Sequence, residues 1–295
     1  MNLQQLRTFR TVATLMNFNQ AARLLNYAQS SISAQIKTLE MEVGRALFNR
    51  QGKKIELTTA GEKMLKYAHK ILAIEAEALA EINGKADTPG LLSLRMPQTI
   101  ATCYLPSVLR DFSRRFPGIH LDVSSCAFYA LEHELSIGTV DLAFLLTDTI
   151  SAADLDFELL AVEPLSLVAS PDHPLAKQDR VTYADLQGET LLLPKADCGY
   201  RMAFERTLTE KSITPSALIE LNTIDAIKKI VMLGMGVTII PTVAIGDELA
   251  QNKLVLLAWE DDLETGVLMI WHQDKWFSNA LTAFMEGFRK ILSQG

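Results

Sequence analysis

FNQAARLLNYAQSSISAQIKTLE, residues 18–40, decides how this 295-residue chain is read. Within it, Ile32, Ile36 and Leu39, with Val43 just beyond, fall on one stripe of a helix predicted from about Gln29 to Val43. At 3.6 residues per turn the opposite face carries Gln29, Ser30, Ser33, Ala34 and Lys37. That face is short, polar and rich in donors. A glutamine amide pairs with adenine in the major groove, serine with several base edges, and lysine with guanine or phosphate. A solvated helix face has the same composition, so this helix alone leaves both readings open. Asn26-Tyr27-Ala28 is a short turn before it. A preceding helix is predicted over Gln20 to Leu25, with Asn19 as N-cap and Ala22 and Leu25 inward. Upstream again, Leu3, Leu6, Phe9, Val12 and Ala13 recur at helical spacing, which predicts an amphipathic helix from Leu3 to about Leu15.

Downstream, Leu47–Arg50 and Ile55–Leu57 are short strand-like runs around Gln51-Gly52-Lys53-Lys54. This reads as a hairpin with a basic tip, a wing able to sit on phosphates. Thr58 or Thr59 then caps a long helix with Glu62 in its first turn. That helix, from Thr59 to about Asn83, has no proline and no glycine after Gly61. Its apolar face is wide: Met64, Leu65, Ala68, Ile71, Leu72, Ala78, Leu79 and Ile82, with Leu65, Leu72 and Leu79 seven residues apart. A second copy of the helix is the simplest cover, which makes this a dimerisation helix. Packing on its own chain is the alternative. Gly84 to Gly90 reads as a hinge.

Charge divides the chain at the same place. Residues 1–87 hold twelve Lys and Arg against eight Asp and Glu, while the whole chain is at −7, which leaves −11 for the remainder. A basic head on an acidic body fits a nucleic-acid-binding module attached to something else. The composition, 48% hydrophobic and 21% charged, is that of a globular protein, and the length suits two or three domains. No apolar run approaches the ~18 residues of a membrane span. The first residues, MNLQQLR, lack the order of a secretory signal, so a cytoplasmic location without a membrane is expected. Three cysteines, with no C-x-x-C pair, speak against a disulfide framework or a zinc site.

Five segments of the head match one family in order, spacing and residue type. They are F-x-x-V-A at Phe9–Ala13, F-N-Q-A-A-R-L-L at Phe18–Leu25, Q-S-S-I-S-A-Q-I-K-T-L-E at Gln29–Glu40, G-R-A-L-F-N-R at Gly44–Arg50 and L-T-T-A-G-E at Leu57–Glu62. In these the chain resembles the LysR-type transcriptional regulators. The resemblance implies a winged helix-turn-helix over residues 1–58, with Gln29, Ser30, Ser33 and Lys37 reading bases and Arg50, Lys53 and Lys54 holding phosphates. It favours dimerisation through a linker spanning 59–89, which suits a double-stranded DNA site with dyad symmetry. Two positions depart from the family. Ala28 stands where a capping serine is usual, at a cost of ~1 kcal/mol, and Ala34 stands where many members carry arginine.

After Gly90, strand-like and helix-like segments alternate, which predicts an α/β body with mostly parallel sheets. Buried strands are expected at Leu91–Met96, His120–Ser124, Leu142–Leu146, Leu165–Ala169, Thr190–Leu193, Ala217–Leu221 and Thr238–Ile240. Helices are expected at Pro106–Phe116, Ala130–Gly138, Tyr200–Lys211, Ile224–Leu233 and Asn279–Leu292. The resemblance continues through F-P-G-I-H-L-D-V from Phe116, V-D-L-A-F at Val140–Phe144, D-H-P-L-A at Asp172–Ala176 and G-M-G-V-T-I-I-P at Gly234–Pro241. It implies an effector domain over 90–295 that resembles a periplasmic binding protein. Subdomain I would hold about 90–162 and 267–295, and subdomain II about 163–266, with crossing strands near Val162 and Gly266.

Ligands of open α/β sheets sit at the carboxyl ends of strands. Gln98, Thr99 and Thr102 follow the first strand, where a helix begins, and Phe128 follows the second strand. Cys198, Arg201 and Thr223 lie across the expected cleft. By resemblance, Gln98, Thr99 and Thr223 match positions that touch effectors, and Pro97 replaces a hydroxyl. For Thr223, capping a helix and touching a ligand are compatible roles. Cys198 resembles the neighbourhood of reactive thiols in peroxide-sensing relatives, but it has no second cysteine nearby in sequence and reads as a cleft-lining thiol. Two helix N-termini facing one cleft favour a small anion over a cation.

His133, His173 and His272 have no partners at metal spacing, and no nucleophile–base constellation, P-loop or G-x-G-x-x-G occurs. No enzyme activity and no cofactor are expected, only a small-molecule effector. The expected protein is an effector-responsive DNA-binding regulator acting as a homodimer or homotetramer. A solute-binding protein and an enzyme on the same α/β body are the rivals. The basic head speaks against the first, and the missing catalytic constellation against the second.

Overall fold

In a computed structural model, described for residues 1–51, 54–83, 90–125, 128–148 and 153–293, the chain forms a small helical head, a long helix and an α/β body. Helix α1 is Leu3–Leu15, closed at its start by a reciprocal cap: Asn2 Oδ1 accepts from Gln5 N at 2.9 Å, and Gln5 Oε1 from Asn2 N at 2.8 Å. Helix α2 is Phe18–Leu24, and its cap is Asn17, whose Oδ1 accepts from the backbone of Asn19 and Gln20. The expected cap at Asn19 is therefore corrected. Phe18 is buried against Phe48, ring centroids 5.7 Å apart, so the chain must turn helical before it to bring the ring inward. Asn26, in the left-handed region at φ 56°, reverses the chain into α3, Gln29–Val43.

Helix α3 starts at Ala28 with no side-chain cap and ends on Gly44 at φ 73°. Ile32, Ile36 and Leu39 are fully buried, whereas Val43 is exposed, because the helix has by then run past the core it rests on. Strands β1 (Phe48–Gln51) and β2 (Lys54–Leu57) pair antiparallel from Phe48↔Leu57 to Gln51↔Lys54. Glu40 Oε1 anchors the base of this hairpin by accepting from Leu47 N at 2.7 Å.

Helix α4, Thr59–Asn83, begins under Thr58, whose Oγ1 accepts from Gly61 N at 2.9 Å and donates to Ala46 O at 2.7 Å. At Gly61 a Cβ would stand 2.1 Å from Leu47 O, so only glycine lets α4 lie this close to the wing. Leu65, Ala68 and Leu72 are buried in one cluster with Phe9, Val12 and Ile36. The heptad leucines 65 and 72 thus cover their own chain's head, which corrects the expectation that they face a second copy. Among the described residues no helix is long and apolar enough to cross a membrane.

The body follows as β3 (Gly90–Arg95), α5 (Gln98–Cys103), α6 (Leu105–Arg115), β4 (Ile119–Ser124), α7 (Phe128–Ser136), β5 (Leu142–Thr147) and the long β6 (Leu155–Ala169). Then come β7 (Thr190–Pro194), α8 (Gly199–Glu210), β8 (Ala217–Leu221), α9 (Ile224–Met232), β9 (Thr238–Pro241), α10 (Gly246–Ala250), β10 (Val255–Leu256), β11 (Glu264–His272) and α11 (Asn279–Leu292). The sheets are mixed rather than mostly parallel. β3 pairs parallel with β4 and β5, but β11 runs antiparallel to both β5 and β6, and β9 and β10 run antiparallel to the far half of β6.

β6 and β11 lie side by side with Gly266 opposite Val162, so two long strands pass between the halves of the body. In the first half β5 is buried along its whole length, as a strand covered on both faces must be. β4 instead alternates, with His120, Asp122 and Ser124 exposed, because it is the sheet's edge; it is not the buried strand expected. Phe144 meets Phe288 at 4.3 Å and Phe112 meets Phe284 at 5.3 Å, which fixes α11 and α6 on this half. Arg289 adds a forked pair to Glu158 on β6. In the second half Leu192, Ile227, Val231 and Ile240 form a separate core.

Candidate DNA interface and effector cleft

On α3 the residues Gln29, Ser30, Ala34 and Lys37 are exposed, and Ser33 is half-buried beside them. Gln29 Nε2 donates to Ser33 Oγ at 3.0 Å, so the two side chains hold each other on one face. Their neighbour Gln35 is used inside the head instead, accepting from the buried Thr8 Oγ1 at 2.7 Å. Arg50 and Lys54 lie on the two wing strands, opposite Ile55 and Gln51, but their side chains fall outside the described residues, as does all of Lys53.

The two halves of the body meet at the strand ends. Gln98, first residue of α5, accepts from Ile224 N at 2.8 Å through Oε1 and so joins the first turn of α5 to the first turn of α9 across the cleft. Thr99, beside it, is 1% exposed, and its Oγ1 has no hydrogen-bond partner among the described residues. Thr223 is the N-cap of α9, accepting from Ala226 N at 3.2 Å, and remains exposed. Thr102 is exposed and donates to Gln98 O at 2.9 Å within its own helix, so its hydrogen is spent there. Phe128 opens α7, with its side chain outside the described residues.

One expected residue changes role. Arg201 is 3% exposed and occupied: it pairs with Glu205 at 2.8 Å and Glu220 at 2.6 Å and donates to Pro194 O. Its Nε has no hydrogen-bond partner among the described residues. It ties α8 to β7 and β8 inside the second half, and is corrected from effector ligand to structural cation. Cys198 precedes α8, and burial pushes its thiol up to about 11, which keeps it protonated and unreactive near neutral pH. Among the described residues no group of three or more His, Cys, Asp and Glu could hold a metal.

One contact between the two halves escaped the sequence reading. Tyr104 OH donates to Glu163 Oε2 at 2.6 Å, and Glu163 Oε1 accepts from Val243 N at 3.1 Å. Burial and the hydrogen bond to Glu163 push the Tyr104 phenol above its ordinary value. Glu163 is buried on β6, one residue beyond the Val162 crossing. A carboxylate set in the apolar run L-L-A-V-E-P-L was the available signal.

A winged helix-turn-helix head on a two-half binding-protein body defines a class: DNA-binding regulators that carry their own sensor. Residues 3–62 match the family described as "Bacterial regulatory helix-turn-helix protein, lysR family", and residues 85–292 match "LysR substrate binding domain". The chain belongs to the LysR family of effector-responsive transcriptional regulators, which are not enzymes. It is 38% identical over 291 residues to the HTH-type transcriptional regulator YwqM of Bacillus subtilis, covering 98% of this chain and 99% of that one. Its fold is similar to that of ArgP from Mycobacterium tuberculosis, with TM-score 0.77 and 23% identity over 98% of this chain and 96% of that one. It is similar also to full-length LysG from Corynebacterium glutamicum, solved with bound effector arginine, with TM-score 0.72 and 19% identity over 100% and 99% of the two chains.

Proposed function

We propose that Gln29, Ser30, Ser33 and Lys37 on α3 read bases in the major groove, while Arg50, Lys53 and Lys54 on the wing hold phosphates. The site read is a DNA sequence with dyad symmetry, bound by a homodimer or a pair of homodimers in the cytoplasm. The paired Gln29 and Ser33 side chains support this reading, because they stand on the face of α3 turned away from its core. Gln29→Ala and Ser33→Ala are each expected to weaken binding to the specific site by about 1–3 kcal/mol. Gel shifts against specific and scrambled DNA measure it. An unchanged preference in both variants removes the assignment.

The second copy packs on the outward side of α4. Tyr67, Ile74 and Ile82 are 59%, 47% and 80% exposed, and with Ala78 they follow the spacing of a helix–helix seam.

A small anionic metabolite is the effector, held between the halves of the body by Gln98, Thr99 and Thr223. The observation that carries this is the buried Thr99 hydroxyl without a partner, since a buried polar group left unpaired is costly unless something pairs with it. Gln98 bridges the two helix starts, and the positive end of the α9 dipole lies there, which favours an anion. The effector changes how the halves close, and with it the angle between paired heads.

Thr99→Val keeps the shape and removes the hydroxyl. Without effector the variant is expected to be as stable as the parent or more stable by about 1 kcal/mol, and to bind DNA normally. Affinity for a metabolite found by thermal-shift screening should fall about tenfold. An unchanged effector response, or a clear loss of stability without ligand, counts against the site.

A further inference from the structure

A cavity of about 950 Å³ lies between the head and the first half of the body, away from the cleft. α1 and the middle of α4 form one wall; the start of β3, the end of α6 and the segment after β11 form the other. Three cations of its lining are spent. Arg7 holds Glu75 through both carboxylate oxygens at 2.8 Å, Lys66 holds Asp274 at 2.8 Å, and Lys275 holds Asp141. Those pairs take up Glu75, Asp141 and Asp274, the carboxylates of the lining among the described residues. Arg10, Lys70 and Arg115 remain, with no carboxylate partner among the described residues. Three positive charges are thus left over at one place on a chain whose net charge is −7.

Two groups there are under strain of solvation. Arg10 is half-buried, and burial and the neighbouring Arg7 push its guanidinium below its usual value. Asp141 and Glu75 pull the other way but are bonded to other cations, so a half-buried cation with no carboxylate in contact is a cost that a bound anion reduces. His69 of α4 has its Nε2 buried with no hydrogen-bond partner among the described residues. Burial holds that imidazole down to about 4, so it stands neutral with one nitrogen ready to pair. The remaining lining includes Leu91, Phe116 and Ile119.

We propose that this cavity is a second ligand site, for an organic dianion with an apolar body. The charge, a phosphate monoester or a dicarboxylate, is met by Arg10, Lys70 and Arg115, with His69 Nε2 as a further polar contact. The body lies on Leu91, Phe116 and Ile119. The volume is that of ordinary small-molecule sites. None of Gln98, Thr99 and Thr223 lines it, so it is separate from the cleft. One wall is head and the other is body, and an occupant therefore ties the two together alongside the Lys66–Asp274 pair.

Calorimetry on the full chain with phenyl phosphate, phthalate and phenol tests this. At least one of the two dianions is expected to bind at sub-millimolar concentration, and the stronger of them identifies the anion chemistry; phenol, the ring without the charge, should not bind. Arg10→Gln should weaken binding at least tenfold, and the double variant Lys70→Gln with Arg115→Gln should weaken it as well, which keeps the test open if Arg10→Gln fails to fold. Thr99→Val should leave it unchanged. No heat with either dianion, phenol binding as tightly as they do, or full affinity in both cation variants overturns the proposal. Dianion binding lost in Thr99→Val and kept in the cation variants also overturns it, by placing the anion in the cleft.

Discussion

Leu72→Glu is expected to unfold the DNA-binding head, not merely to separate two subunits. Leu72 is 5% exposed and belongs to the cluster formed by Leu6, Phe9, Val12, Ile32, Ile36 and Leu65. Its removal loses the burial of a large side chain, roughly 2–5 kcal/mol. The new carboxylate must then be neutralised or dragged to water, which adds several kcal/mol. The total, more than about 5 kcal/mol, is comparable to the whole stability of a small domain. Ile74→Glu, two residues on, is the contrast. Ile74 is 47% exposed on the other side of α4, so a charge there meets water in the single chain and an apolar seam only in a dimer. Circular dichroism and sedimentation separate the two. Leu72→Glu should lose helix signal and DNA binding, and Ile74→Glu should keep its helix and halve its mass. A folded, half-mass Leu72→Glu protein would show that the leucine faces a second copy after all.

The contrast explains why the linker's heptad misled the sequence reading while its extent did not. α4 ends where predicted, because chain-breaking residues are local signals. Its apolar residues, however, cover more than one side of the helix, and spacing alone does not assign a side to a partner. Leu65 and Leu72 answer the inward stripe of α1; Tyr67, Ile74 and Ile82 are what is left over. α1 and α3 were legible to the residue, since three turns of alternating burial fix a helix without tertiary information. The cap of α2 was not, because Asn17 and Asn19 are chemically equal and only the burial of Phe18 chooses between them.

In the body the hidden element was the first half of β6. Phe157, Leu159 and Val162 are each more than half exposed, so the stretch carries apolar residues on its open side, with Asp156 before them and Glu158 among them. Such a pattern reads as neither a buried strand nor a half-buried one. Site residues divide the same way. The positions of Gln98, Thr99 and Thr223, which are proposed to touch the effector, were legible because a strand-to-helix junction sets them, whatever the rest of the chain does. Arg201 was misread because its second partner, Glu220, comes from another strand; Glu205, four residues on along α8, was the legible warning. Tyr104 and Glu163 meet across 59 residues of sequence, and no local pattern joins them.

Acid is expected to weaken the fold through one buried imidazole. His69 is held down to about 4 from an ordinary value near 6.5, first by burial and then by Arg10 and Lys275, with Asp141 pulling the other way. The unfolded chain therefore takes up its proton at a higher pH than the native chain does. Above pH 6.5 both states are neutral and the full stability is present. Between pH 6.5 and 4 the unfolded state alone binds the proton, and stability drains by on the order of 3 kcal/mol in total. Below 4 the native imidazole is protonated too, and His69 removes no more. His272 is pushed the same way, by burial and by the neighbouring Lys66, so some slope should survive without His69. Urea midpoints measured from pH 7.5 to 4.5 follow the loss, and His69→Leu, which fills the site without a proton to bind, should flatten most of it. If the variant's midpoint falls as steeply as the parent's, His69 is not held neutral between α4 and the body, and the wall of the second cavity is more open to water than its burial implies.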